Sequence, residues 1–122
     1  MKYLLLLTNR SDEVEEWRRL SREEQERLRA EEMPKWGHLF AWIEQKGLHV
    51  EGLELDDPQL ARTVRVRDGE TLVTDGPYAE TKEQVGGYFV AECDDLDAAI
   101  ELASRIPVAA KASVEIRPLV SQ

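Results

Sequence analysis

The side chains best suited to chemistry gather in TDGPYAETKEQVGGY, residues 74–88. Asp75 is a carboxylate that could take a proton or anchor a ligand hydroxyl. Tyr78, three residues on, is a phenol that could give one up. His38 could join them where its helix faces the same cavity. Arg65, Gly76, Pro77, Glu80 and Lys82 complete the set as candidate ligand contacts. Each residue also has a structural use. Asp75 opens an Asp-Gly-Pro turn in which its carboxylate can accept backbone N–H bonds. The ring of Tyr78 can serve packing, and Glu80, Lys82 and Glu83 suit a solvated charged turn. Gly86-Gly87 suits a bulge or a close backbone approach better than a phosphate cradle, because no helix N-terminus follows it.

Other groups carry less chemistry. His49 falls in an expected strand. Glu54, Asp56 and Asp57 could bind a hard cation, yet a solvated acidic turn is the simpler reading. The single Cys93 has no partner for an internal disulfide, and two histidines eleven residues apart with one cysteine make no zinc spacing. No metal and no cofactor is called for. Sixteen Lys and Arg against twenty-five Asp and Glu give a net charge of -9. That sign repels phosphate backbones and anionic lipid, so neither nucleic acid nor a membrane surface is expected as a partner. The apolar run in MKYLLLL is too short for a signal peptide or a membrane span. The expectation is a cytoplasmic, bacterial-type protein.

These residues must be held by a folded scaffold. With 42% hydrophobic and 34% charged residues and no linker, repeat or low-complexity run, the chain reads as a single domain over 1–122. Tyr3 to Leu7 is a short apolar run, expected as a strand buried on both faces and ending at Thr8-Asn9-Arg10. Residues 11–46 are helical in composition. Ser21 and Glu24 form a capping box, Ser11 or Asp12 could cap a preceding turn, and Pro34 should break or kink the helix. Trp36, Leu39, Phe40 and Ile43 follow one helix face, expected as core, and Gly47 is placed to close the helix in the left-handed conformation. Trp17, Trp36 and Trp42 read as core or interface anchors.

A strand is expected within residues 48–55, ended by Asp56-Asp57-Pro58. TVRVRDGETLV is a hairpin about Asp68-Gly69, because a two-residue type I′ turn needs positive φ at both positions. That turn pairs Arg67 with Glu70, Arg65 with Leu72 and Val64 with Val73. It sets Val64, Val66 and Val73 on one face, suited to a helix layer, and Arg65, Arg67, Glu70 and Leu72 on the other. Tyr88 to Glu92 is a further strand. Asp94-Asp95 caps a helix over about 96–105 with Leu96, Ala99, Ile100 and Ala103 on one side, and residues 113–117 form the last strand.

The order is that of an α+β, ferredoxin-like split βαβ protomer with an inserted β-hairpin, two helical segments covering one face of an antiparallel sheet. The other face then needs a cover. A second copy supplies it most simply, giving a homodimer with the two sheets packed as a dimeric α+β barrel. Arg65, Arg67, Glu115 and Arg117 would point into the space between the sheets, either as ligand contacts or as ion pairs across strands.

TVRVRDGETLVTDGPYAETKEQVGGYFV, DDLDAAIELASRIP and SVEIRPL together resemble the YCII-related family, in the branch of the DGPF signature, and MKYLLLL is similar to its first strand. Tyr78 stands where that signature has Phe. The resemblance implies the same dimeric barrel, with no assigned reaction for most members and genes often beside extracytoplasmic-type sigma factors. In the wider group it implies a His and Asp pair, in one case for dehalogenation of a hydroxylated ring. Here that histidine position falls near Trp36, and His38 lies about 200° away around a helix. Ile106 stands where an Asp often precedes the proline. The leading expectation is a dimer binding a small molecule between its sheets. The alternatives are an acid/base enzyme (isomerase, lyase or dehalogenase-like) using Asp75, and a regulatory partner of a sigma factor.

Overall fold

A computed structural model describes residues 1–76 and 82–121. Alternation along the first strand sets the layers. In β1 (Lys2–Arg10), Tyr3, Leu5 and Leu7 are buried while Leu4, Leu6 and Thr8 are half-buried. β1 lies between β5 (Glu83–Glu92) and β6 (Val114–Pro118), and β2 (Val50–Glu54) pairs with the outer side of β5. The resulting order β2-β5-β1-β6 is antiparallel throughout, the ferredoxin-like arrangement expected for a split βαβ chain.

Two helices cover the face that carries Tyr3, Leu5 and Leu7. From α2 (Arg22–Lys46) come Leu39 and Ile43; from α3 (Leu96–Arg105) come Ala99, Leu102 and Ala103. They close on Phe89, Ala91, Cys93 and Ile106 in one core. Full burial of a leucine such as Leu5 or Leu102 contributes about 1.5–3 kcal/mol. Gly52 belongs to the same packing, because a Cβ there would run into the Tyr88 carbonyl and the Phe89 ring.

Local signals set the helix ends. The capping box of Ser21 and Glu24 is present in both directions, and Gly47 closes α2 at φ 67°. The Asp95 carboxylate accepts the Ala98 N–H at 2.9 Å and starts α3. A separate short helix, α1 (Ser11–Arg19), precedes α2; its cap position is Arg10, not Ser11 or Asp12, and receives no side-chain bond.

Several expectations change. β1 does not end at Thr8 but runs to Arg10, past a register shift at Leu7/Thr8 that leaves Gly86 as the extra residue of a bulge. α2 continues through Pro34 rather than breaking, since a ring at one turn removes one hydrogen bond while both ends stay capped and Leu39 and Ile43 stay buried. In α3, Leu96 and Ile100 are exposed and Leu102 is buried in their place, because the Asp95 cap turns positions 99, 102, 103 and 106 toward the sheet. Phe40 is also largely exposed, its ring edge-on to Phe89 at 6.5 Å. Trp17 and Trp42 are half-buried beneath guanidinium groups, Arg29 at 5.5 Å and Arg105 at 4.3 Å.

The hairpin of β3 (Arg62–Arg67) and β4 (Glu70–Asp75) has the expected register, Arg67 opposite Glu70 through Val64 opposite Val73, with positive φ at Asp68 and Gly69. It stands as its own two-stranded sheet. Val64, Val66 and Val73 meet no helix layer: each is 59% exposed.

Pro34→Ala restores the missing N–H donor in an exposed turn of α2. It should raise stability by about 1–3 kcal/mol in urea unfolding, with the far-UV spectrum unchanged.

Candidate functional site

The hairpin fixes where the signature stretch begins. Arg62 lies opposite Asp75, and its Nε stands 3.2 Å from the Asp75 carboxylate. The next residue, Gly76, has φ 88°, donates its N–H to the Ala61 carbonyl at 2.8 Å, and accepts the Thr63 hydroxyl at 2.8 Å. The Asp75 side chain is 89% exposed. Strand alternation directs Asp75 to the face of Val64 and Val73 and Arg65 to the opposite face. His38 is exposed on α2, within the helix layer and so on the other side of the main sheet from its open face. Pro77, Tyr78 and Glu80 lie outside the described residues. The structure therefore brings Asp75 and Gly76 together and leaves Arg65 and His38 on other surfaces.

The stretch re-enters the fold at Lys82, whose carbonyl accepts the Ser11 N–H at 2.7 Å. Beside it lies an open cleft of about 910 Å³, lined among others by Arg10, Asp12, Lys82, Glu83, Lys111 and Ala112. Arg10 holds Asp12 through two bonds of 3.2 and 2.7 Å. That guanidinium keeps the Asp12 carboxyl below its usual pKa. Lys111 reaches Glu32 of α2 at 3.2 Å. Behind the lining residue Glu83 lies a polar cluster. The Ser113 hydroxyl donates to the Glu83 carboxylate at 3.2 Å, the Ser113 N–H donates to the Thr8 hydroxyl at 3.0 Å, and that hydroxyl is 3.0 Å from the Ser113 carbonyl.

Glu83 is thus a half-buried acceptor rather than part of a solvated turn. Sequence reasoning missed this cluster. Its one local sign is Thr8 at the end of an apolar run; Ser113 and Glu83 join it only through strand pairings that bring positions 8, 83 and 113 together.

A second, smaller cleft of about 200 Å³ borders Gly76, with Val14, Arg18, Pro58 and Gln84 among its lining residues. The Gln84 Oε1 is buried there without a hydrogen-bond partner among the described residues. Asp57, expected in a solvated acidic turn, instead binds Arg18 through bonds of 2.9 and 2.7 Å and accepts the Gln59 N–H at 2.8 Å. The Arg18 guanidinium, with that backbone bond, holds the Asp57 pKa at about 2. Among the described residues no three His, Cys, Asp or Glu side chains are grouped to hold a metal ion, and no helix is long and apolar enough to cross a membrane.

The open face of the main sheet is a further candidate surface. Strand pairing sets Leu4 beside Val90, Leu6 beside Tyr88, and Leu53 on the far side of Tyr88. Leu53 is 67% exposed. Charges border this apolar centre: Glu115 and Arg117 pair at 2.6 Å, and Lys2 stands 3.9 Å from Glu92.

A model of the YCII-related domain matches residues 1–121. An uncharacterized protein of Rhizobium meliloti (strain 1021) is 46% identical over 61 residues, a stretch covering 48% of this chain and 49% of that protein. The chain thus spans about half the length of the curated relative it matches.

The Asp57 pKa is depressed in the folded state, so its contribution to stability is complete above about pH 4 and is lost as pH falls toward 2. Asp57→Ala should lower stability by about 1–2 kcal/mol at pH 7 through loss of the cap and the ion pair. The gap from the parent chain should narrow in urea titrations repeated at decreasing pH.

Proposed function

The chain belongs to the YCII-related family, and we propose that it works as a homodimer that binds a small molecule between two facing sheets. The observation that carries this reading is the pairing of a helix-covered face with an open one whose centre is apolar. Leu4, Leu6, Tyr88 and Val90 are each half-buried, and Leu53 is more exposed than any of them. A second sheet laid on this face removes that area from water, worth roughly 25 cal/mol per Å² before association costs. The Glu115–Arg117 pair would lie at the rim, where polar groups orient a ligand.

The hairpin supports the same reading from another direction. A lone two-stranded hairpin is marginal in water, and this one exposes three valines on one face and Leu72 on the other. Packing against a second protomer would give both faces a cover. Within the family, we place the chain in the branch with the DGPF signature, here Asp75-Gly76-Pro77-Tyr78. Asp75 then serves as a ligand anchor at the hairpin base. An acid or base is tuned by a pocket that excludes water, and the Asp75 side chain is 89% exposed among the described residues, so ligand binding fits its setting better than proton transfer.

Light scattering after size exclusion should give a mass of twice 14.0 kDa for the parent chain. Leu6→Glu sets a charge at the centre of the open face and should yield a folded species of 14.0 kDa. A parent chain that elutes at the single-chain mass over micromolar concentrations would overturn the dimer.

A further inference from the structure

We propose, resting on the dimer reading above, that Tyr88 anchors the ligand held between the sheets and that this ligand is a small uncharged ring compound bearing one hydroxyl or carbonyl oxygen. Strand pairing sets the phenol at the centre of the open face. Leu6 of β1 lies opposite Tyr88 on one side and Leu53 of β2 on the other, and Leu4 lies opposite Val90 in the next row. These five side chains span two strand spacings across the sheet, roughly 10 Å, and two residues along it, roughly 7 Å. That area matches one six-membered ring with a short substituent. Tyr88 is half-buried there, and its hydroxyl has no hydrogen-bond partner among the described residues.

The charged groups around this centre are already paired. Arg117, beside Leu4, meets Glu115, beside Leu6, at 2.6 Å. Glu51, beside Val90, stands 3.3 Å from the His49 Nε2, and Lys2 stands 3.9 Å from Glu92. The Thr8 hydroxyl at the end of the face is 2.9 Å from that of Ser113. The Tyr88 hydroxyl therefore remains for a ligand, as donor or acceptor. A second sheet laid on this face takes that hydroxyl out of water, and the backbone groups of the facing strands are spent in their own ladder. A hydroxyl buried without a partner is costly, so the occupant supplies one. A charged occupant would lose its hydration beside groups already neutralised by one another. A neutral oxygen bonds to the phenol without that cost, while its ring rests on Leu4, Leu6 and Val90. Direct pairing of Tyr88 with the partner's Tyr88 is the competing arrangement, and it gives the dimer no preference for an oxygen-bearing ring.

The test is a titration of the ¹⁵N-labelled full chain, its mass checked by light scattering, with benzyl alcohol, acetophenone, ethylbenzene and benzoate. Benzyl alcohol and acetophenone should give saturable amide shifts at Leu6, Leu53, Tyr88 and Val90. Ethylbenzene, which lacks the oxygen, should bind about fivefold more weakly, and benzoate about tenfold more weakly. Tyr88→Phe keeps the ring and should bring benzyl alcohol and acetophenone down to the level of ethylbenzene, whose own affinity stays unchanged, at a mass of twice 14.0 kDa. A purely structural role for the ring would instead weaken all four probes alike and overturns the proposal. Equal affinity for ethylbenzene and benzyl alcohol in the parent dimer overturns it too, as do benzoate binding as tightly as benzyl alcohol, unchanged discrimination in Tyr88→Phe, and absence of saturable shifts. Each of these results leaves the dimer standing. A parent chain at the single-chain mass removes the dimer reading and this assignment together.

Discussion

The central position of β1, with one face of its side chains fully buried and the other only half so, is the constraint on which the rest of the molecule depends. Tyr3, Leu5 and Leu7 need helices above them, and α2 and α3 meet that need with Leu39, Ile43, Ala99 and Leu102. Neither helix can reach the opposite face, because both lie on the same side of the sheet. Leu4 and Leu6 are therefore sheltered from the side, by Val90 and Tyr88 of β5 and by Arg117 and Glu115 of β6. A sequence of nearly continuous leucine looks alike on both sides, so the first strand alone suggests burial on both faces, whereas the structure buries one and leaves the other half-buried.

What the sequence made legible was local. The Asp68-Gly69 turn fixes the hairpin register because two adjacent positive-φ residues leave a single way to pair the flanking strands. Ser21, Glu24, Asp95 and Gly47 mark helix ends through hydrogen bonds that span three or four residues. What failed was the assignment of faces to layers. Alternation sets Val64, Val66 and Val73 on one face, yet says nothing about what lies opposite that face, and among the described residues all three stay 59% exposed. Leu96 and Ile100 fit the helical period as well as Leu102 does; only the angle at which α3 leaves its cap decides which of them is buried.

The candidate site shows the same division between near and distant information. Asp75 is legible because an Asp-Gly-Pro turn after a strand is a local pattern, and Lys82 because it closes the same stretch. Glu83 is not, because its role depends on Thr8, 75 residues away, and on Ser113, 30 residues away. Local reading places it in a charged run; strand pairing places it beside two hydroxyls.

The bulge links these two levels. β1 keeps its alternation, with Leu7 buried and Thr8 half-buried, so the irregularity lies in β5. The extra residue, Gly86, shifts β5 by one position against β1 between Leu7 and Thr8. A Cβ there would meet the Asn9 side-chain amide, an exposed group whose flexible end can turn aside. The Gly86 carbonyl also accepts the Leu55 N–H at 2.9 Å, which holds the chain beyond β2 close to β5. One inserted residue thus sets Val85 opposite Thr8 and Glu83 opposite Arg10, where the segment from the hairpin rejoins the main sheet. The specificity of residues 74–88 follows from this geometry: the segment must leave at Gly76 with positive φ and return through a glycine bulge, and both ends border a cleft.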